Sequence, residues 1–586
     1  MVMANAFKKA ESKEKKKGKD IKINVPDVKL PIVTVETDPE QVPMMYRAQI
    51  QGRCSLQFIK DDNHDLQNWL EEWIYPDSDN QNRPFYQRTE PCLGLDGKIY
   101  RLKLEFPFRV CSNCGQDNIV RPVIGKHGIP FIPGSGIKGL FERLSRNSAL
   151  DSNLQAKIKE YCGSIEEPGI LRFHGAYPIG DWAATVVTFD DKGQEKTENR
   201  YRISDVVHPQ ENKQIRGIFK SNAIAQISLY KPTLVFELSS KQTFSVDQWQ
   251  EIGGLLKRAL RQGLGGKTST GYGLWVLPQD RYPLSINLTG IGVSSLLRND
   301  EPEFRPNLFK ATLKGHLTRL LGGICSNEDT TKTKIANWFG NSSKPGNIQI
   351  YWESKPNFPI FEKQGNEKTA IYQVKGTLYV DAPKQDLELF QKLLEFTYIM
   401  AGIGKSWRRA WHEGPSQWHS GFYPGYAKRA IGCHWKSDDA SFEMPDIKSS
   451  DDLKKFLNNL QSYLKNYLKQ GNISSQNFKE AWHSNNLTVF SKVVSQSQAI
   501  GLFHDGNFKT TPALGGRNPG DDHPTAVSCV WHRMLPIGKD QYLEIVTIFH
   551  GDRRPWQREG VDQLKPFIEA LKDKGKGLIF TWGKNL

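Results

Sequence analysis

Two short glycine loops carry the residues best suited to chemistry. Gly265-Gly266-Lys267-Thr268 and Gly404-Lys405-Ser406 each join small residues to a lysine and a hydroxyl. Glycine lets backbone approach a ligand closely and expose successive N–H groups, while Lys and Thr or Ser supply phosphate donors. A nucleotide-hydrolysing phosphate loop needs a glycine five positions before the Gly-Lys pair and must follow a strand. Arg261 and Ile399 occupy those positions, and each loop follows a helical pattern, so that class is set aside. Beside the second loop, Arg408 and Arg409 stand between Trp407 and Trp411. Guanidinium groups interleaved with rings suit single-stranded nucleic acid, whose phosphates pair with Arg and whose bases stack. A third candidate is Pro133-Gly134-Ser135-Gly136-Ile137-Lys138-Gly139, read as a helix start with Ser135 as N-cap. Its free N–H groups, with Lys138 and Arg143, would attract phosphate. Cys111 and Cys114 form a lone C-x-x-C with no second pair nearby, so structural zinc is not expected.

The elements that must position these loops occur twice. IYRLKLEFPFRV alternates like a strand, and Ile137, Leu140, Phe141 and Leu144 follow at helical spacing. A Ser245–Gln248 capping box opens a helix carrying Trp249, Ile252, Leu256 and Leu260, which ends in the first glycine loop. YGLWVLP then reads as a strand. From Tyr282 the pattern recurs: strand YPLSINLTGIGVSSLL, helix LFKATLKGHLTRLLGG, strand QVKGTLYVDA and helix DLELFQKLLEFTYIMAG, again ending in glycines. Both first helices read K-G-x-x-x-R-L, with Lys138 matching Lys314, Arg143 matching Arg319, and Lys267 matching Lys405 further on. This is an internal duplication. Beyond about residue 440, Leu453, Phe456, Leu457, Leu460, Tyr463, Leu464, Tyr467 and Leu468 stripe one helix, which reads as core or subunit packing rather than a ligand box. VSCVWHRMLP and YLEIVTIFHG read as strands that complete the second unit's sheet.

Composition narrows the partners. The 586 residues hold 79 Lys+Arg against 64 Asp+Glu, a net charge of +15 that favours an anionic partner. No apolar run reaches membrane-spanning length, and the Lys-rich N-terminus lacks a secretory h-region. Eight scattered cysteines suit a reducing compartment. A soluble, cytoplasmic protein without membrane contact is expected.

F-I-P-G-S-G-I-K-G-L-F-E-R-L followed by G-L-G-G-K-T-S-T-G-Y-G-L-W resembles the RAMP superfamily of CRISPR-associated proteins. Gly169-Ile170-Leu171-Arg172-Phe173-His174-Gly175-Ala176-Tyr177 is similar to the family's G-x-L-x-F-x-D-A strand, with Gly175 replacing the acid. Trp338-Phe339-Gly340 and Gly346-Asn347-Ile348 resemble the family's F-G and G-x-I in the second unit. The likeness is specific over about 95–280 and weaker over about 283–440.

The resemblance implies an α+β fold of two tandem ferredoxin-like (RRM-like, βαββαβ) domains with insertions and a C-terminal extension. The expected division is a disordered basic tail at 1–30, a first RAMP domain at 31–282, and a second at 283–440. Residues 441–586 would then be a helical extension with strands completing the second domain. It also implies a fused backbone subunit of a type III effector, holding guide RNA and target single-stranded RNA among other RAMP subunits and a large polymerase-like subunit. Ser135, Lys138, Arg143, Gly265, Gly266, Lys267, Thr268, Lys314, Arg319, Lys405, Ser406, Arg408 and Arg409 would bind RNA. The family's cleaving aspartate, which works with a divalent metal such as Mg2+, corresponds to Asp117 in CGQDNIVRPV. Asp300 is its counterpart in RNDEPE, with Glu301 and Glu303 as substitutes. The alternatives are a non-catalytic structural or capping subunit, a guide-RNA processing endoribonuclease, and a protein adaptor.

Overall fold

The computed structural model describes residues 87–88 and 90–586, apart from 113, 117–118, 125–129, 147–149, 182–184, 190–194, 202, 208–223, 277–281, 297–301, 342–343, 364–369, 413–420, 424–430, 438–441, 516–526 and 574–576. The basic tail at 1–30 lies outside them. No helix among the described residues is long and apolar enough to cross a membrane.

The first unit runs β1 (Gly94–Asp96), β2 (Ile99–Glu105), α1 (Gly134–Ser145), α2 (Ser152–Cys162), β3 (Leu171–Pro178), β4 (Thr233–Ser240) and α3 (Val246–Leu260). Its antiparallel sheet has the order β1-β2-β4-β3. The apolar periods seen in the sequence become its core: Ile137, Phe141, Leu256 and Leu260 pack with Phe236 and Leu238 of β4. The Ser245 hydroxyl accepts from Gln248 N at 3.3 Å, and Gln248 Oε1 accepts from Ser245 N at 2.9 Å, completing the capping box of α3.

Two local expectations are corrected here. Pro133, not Ser135, takes the N-cap position of α1, and Ser135 lies inside the first turn. The expected strand YGLWVLP is not formed over its described residues, 272–276. Gly271 and Gly273 both hold positive φ, 87° and 68°, and turn the chain back. Gly273 N then donates to Arg109 O (2.8 Å) and Leu264 N to Gly273 O (2.9 Å), so β1 occupies the sheet edge a fourth strand would take.

The second unit comprises β5 (Leu284–Val293), α4 (Asn307–Gly322), α5 (Glu328–Phe339), β6 (Gln349–Ser354), β7 (Ala370–Asp381), α6 (Leu387–Met400) and β8 (Cys433–Ser437). Its antiparallel order is β6-β7-β5-β8, with Ile360–Lys363 also on β7. The duplication extends to a detail the landmark pairs do not include. After α2, Gly163 and Gly169 enclose a loop ending Pro168-Gly169. After α5, Gly340 and Gly346 enclose one ending Pro345-Gly346. In each, the two glycines approach so closely that an added Cβ would strike backbone within 2.7 Å.

The C-terminal part differs from expectation. After α7 (Ser450–Tyr467) come β9 (Leu487–Val494), α8 (Ile500–Phe503), β10 (Val530–Gly538), β11 (Gln541–Phe549), α9 (Leu564–Lys572) and β12 (Ile579–Gly583). Its strands do not join the second unit's sheet. They form their own antiparallel sheet, β10-β11-β9-β12, in which second, third, first and fourth strands follow one another as in the second unit. Its first helix has shrunk to α8, whose start is capped by the Glu544 carboxylate accepting from Gln498 N (2.9 Å) and Ala499 N (3.0 Å). The α7 stripe is core: Leu453, Phe456, Leu457, Leu460 and Leu464 are buried, and one continuous apolar core runs from β5 to β12.

Candidate nucleic-acid interface

The glycine loops leave α3 and α6, and each is pinned beside the chain that follows or ends the unit's first long strand. Gly266 N donates to Cys111 O at 2.7 Å, and Lys405 forms a bridge with Val293 at the end of β5. Gly265 has φ 77° and Lys267, two residues on, has φ 58°. Gly404 has φ 96° and Ser406, two residues on, has φ 63°. The backbone therefore aligns Gly265-Gly266-Lys267 with Gly404-Lys405-Ser406. The sequence match of Lys267 to Lys405 is one residue out of step, because left-handed geometry and the bridge repeat rather than the lysine. A Cβ on Gly265 would sit 1.9 Å from Cys111 O, so that position admits no side chain.

The helix start of α1 is built by close packing against β3. A Cβ on Gly134 would lie 1.8 Å from Phe173 O, which is why glycine stands at the first helical position. Ser135 in the first turn is exposed and Lys138 is half-buried, whereas Arg143, also exposed, lies in the last turn of the helix, away from its free N–H groups. In the second unit, Lys314 is half-buried and burial lowers its ammonium from the usual value. Lys405 and Ser406 are exposed. Thr268 opens the short turn Thr268–Thr270, and the Lys267 ammonium lies 5.4 Å from the Tyr272 ring centroid.

Lys310 belongs with this set, and its spacing of four residues ahead of Lys314 is the signal in the sequence that identifies it. Its ammonium donates to Ser269 Oγ at 2.5 Å, so the start of α4 grips the first unit's glycine loop. Burial, and secondarily Lys314, pushes Lys310 down to about 8. A poorly solvated ammonium beside a second one favours an anion that arrives to pair with both.

Three predicted RNA contacts are corrected by their surroundings. Arg319 is 5% exposed and donates to Glu480 Oε2 at 2.7 Å. Arg408 takes the same carboxylate twice, at 3.0 and 2.9 Å, and Trp531 Nε1 donates to it at 3.3 Å. Burial alone would raise the Glu480 carboxyl, but Arg408 and Arg319 together hold it well below the usual range. Arg409 donates to Val530 O (2.5 Å), Leu514 O (2.8 Å) and Ser528 Oγ (2.9 Å). These guanidiniums tie the second unit to the C-terminal one. The flanking rings are not free platforms either: Trp411 is fully buried, and Trp407 packs edge-on to Trp531 with centroids 4.8 Å apart.

Asp117, Asp300 and Glu301 lie outside the described residues. Glu303 is 3% exposed between two guanidiniums, accepting from Arg109 Nε at 2.9 Å and Arg305 Nε at 2.8 Å. It joins the first unit to the second with both oxygens taken by guanidiniums, so it is not a substitute for Asp300. Cys111 is buried under the first glycine loop, and Cys114 lies in the short strand Cys114–Gln116. Among the described residues, no three His, Cys, Asp or Glu side chains come together as a metal site would require.

Residues 115–276 match the family model of the RAMP superfamily. No curated protein matches the chain. Among solved structures, a chain of the type III-B Cmr-beta complex bound to cognate target RNA is 20% identical, with a TM-score of 0.22. The likeness spans 30% of this chain and 58% of that one. Apo Cmr1 from Pyrococcus furiosus is 12% identical at a TM-score of 0.35, covering 51% of this chain and 98% of that one. Cmr6 from Pyrococcus furiosus is 14% identical at 0.20, covering 31% and 100%. All three TM-scores are those of distant likeness. The residues that match the RAMP superfamily model, 115–276, run from before the helix start at Gly134 to beyond the first glycine loop.

Proposed function

We propose that this chain is an RNA-binding backbone subunit of a type III CRISPR effector, built on tandem ferredoxin-like units. The observation that carries the reading is the repeated glycine loop: the same left-handed pair of residues, pinned at the same place, once inside the RAMP segment and once beyond it. Lys138, half-buried near the start of α1, and Lys405, exposed in the second glycine loop, stand where N–H groups suit phosphate, and Arg143 and Lys314 add solvent-accessible cations further along α1 and α4. The strand order of the second unit supports the ferredoxin-like part. Guide RNA, target RNA and further RAMP and polymerase-like subunits are the partners in this reading.

The reading includes target cleavage at Asp117 and Asp300. Each carboxylate would take the proton of a ribose 2′-hydroxyl as its oxygen attacks the neighbouring phosphorus; the bond to the 5′-oxygen breaks, leaving a 2′,3′-cyclic phosphate and a 5′-hydroxyl that takes its proton from water. A divalent ion such as Mg2+, bound by the same carboxylates, supplies charge stabilisation. Specificity would reside in base pairing with the guide, so no base-reading side chain is needed at the cut. The test is target-RNA cleavage by the assembled complex carrying Asp117→Ala, Asp300→Ala or both. Loss of separate cuts in the single variants is expected. Survival of every cut in the double variant removes the catalytic part and leaves a scaffold.

A further inference from the structure

A cleft of 680 Å³ opens between the first two units, beside the first glycine loop, with Thr270 and Gly271 on its rim. That volume falls within the range of small-ligand sites. It is lined by aromatic residues of both units: Phe108 and the buried Tyr230 from the first, Tyr351, Phe358 and the buried Trp352 from the second. The walls are held in fixed positions. Phe108 O accepts from Lys231 N at 3.0 Å, and Arg109, next to Phe108, is locked to Glu303 across the junction. Gly271 packs against Tyr351, so an added Cβ there would lie 3.1 Å from the ring.

Three charged groups complete the lining: Lys231, Glu353 and Glu303, the last already paired with Arg109 and Arg305. The Lys231 ammonium lies 5.4 Å from the Tyr230 ring centroid, on a residue held at φ 45°. Glu353 accepts from Tyr379 Oη at 3.0 Å, and no cation pairs with it among the described residues. An aromatic slot with a carboxylate at one side favours a flat heteroaromatic ring presenting adjacent N–H donors. A cation at the rim adds a place for phosphate.

We propose that this cleft binds a guanine nucleotide base, stacked among the rings with its N1–H and N2–H donated to Glu353 and its phosphate toward Lys231 and the glycine loop. Guanine presents two neighbouring donors on its pairing edge, whereas uracil presents one donor between two acceptors that a carboxylate would repel. This inference rests on the RNA-binding reading and names the base that would leave the strand beside the loop. Such pockets read bases that are splayed out and stacked on rings.

The test uses the full chain, with GMP, AMP, CMP and UMP as calorimetric probes and a labelled mixed-sequence single-stranded RNA as a separate probe. GMP is expected to bind at least about tenfold more tightly than UMP, the worth of a charge-assisted hydrogen-bond pair. Glu353→Gln and Phe358→Ala should each weaken GMP about tenfold or more, with thermal unfolding unchanged. Equal binding of GMP and UMP, or GMP binding unmoved by both variants, overturns the cleft proposal while leaving RNA binding intact. Failure of the wild-type chain to bind the RNA probe at low salt overturns the RNA-binding reading instead.

Discussion

Replacing Arg319 separates a phosphate contact from an internal strut. Its guanidinium is 5% exposed and shares Glu480 with Arg408 and Trp531. Breaking a buried pair by removing one partner costs about 3–5 kcal/mol, because the remaining charge loses its compensation. Arg408 still neutralises Glu480 in Arg319→Leu, which places that variant near the lower end, about 3 kcal/mol. Glu480→Gln leaves two guanidiniums facing each other without a carboxylate and belongs near the upper end, about 5 kcal/mol. At about 2 °C per kcal/mol for a large cooperative unit, these become Tm losses of about 6 and 10 °C. The assay is thermal unfolding in parallel with RNA affinity measured across a salt series. A residue that contacts a phosphate lowers the salt slope by about 0.7–0.9 when removed, and Arg319→Leu should leave that slope unchanged. A variant with unaltered Tm and a slope reduced by that amount refutes the buried-strut assignment and returns Arg319 to the RNA surface.

Lys405→Ala is the converse case: an exposed side chain whose loss should shift stability by under about 0.5 kcal/mol and lower the salt slope by about 0.7. Gly134→Ala forces a Cβ to 1.8 Å from Phe173 O, so either α1 or β3 must move. It should lower the Tm of the first unit and weaken RNA binding, as measured by calorimetry and anisotropy. Lys310 titrates at about 8 when folded against a usual 10.5, so the folded state binds fewer protons between those values and this group's contribution to stability grows as pH rises from about 8 to 10.5. RNA affinity should fall over the lower part of the same window as the ammonium discharges, and Lys310→Met should flatten both pH profiles. Glu480 titrates below its usual 4.5, so the stability it contributes is present above that pH and is lost on further acidification. Acid unfolding of Glu480→Gln should lack that component.

Much of the fold was legible in the chain because it depends on local periodicity. The core of α3 follows from Trp249, Ile252, Leu256 and Leu260 at helical spacing, and its start from a capping box that forms as read. Repeat landmarks located the second unit for the same reason. The C-terminal sheet escaped because its first helix has shrunk to Ile500–Phe503, too short to show a period, and because the strand order is made by long-range pairing. YGLWVLP read as a strand from its apolar residues, but glycines at 271 and 273 turn the backbone, and the hydrogen bond from Gly273 to Arg109 decides the outcome.

The candidate site divides along the same line. Residue type and spacing determined where the glycine loops lie, which helices precede them, and that the chain is basic enough to favour an anionic partner. Whether a given cation meets solvent or a carboxylate is a property of what packs on it. Arg143 and Arg319 occupy the same place in K-G-x-x-x-R-L, yet one is exposed and the other is buried on Glu480, which is distant in sequence. Local sequence sets the backbone path because its hydrogen bonds and φ preferences span a few residues. Tertiary structure alone sets the solvation of each charge, because desolvation depends on segments that meet only after folding.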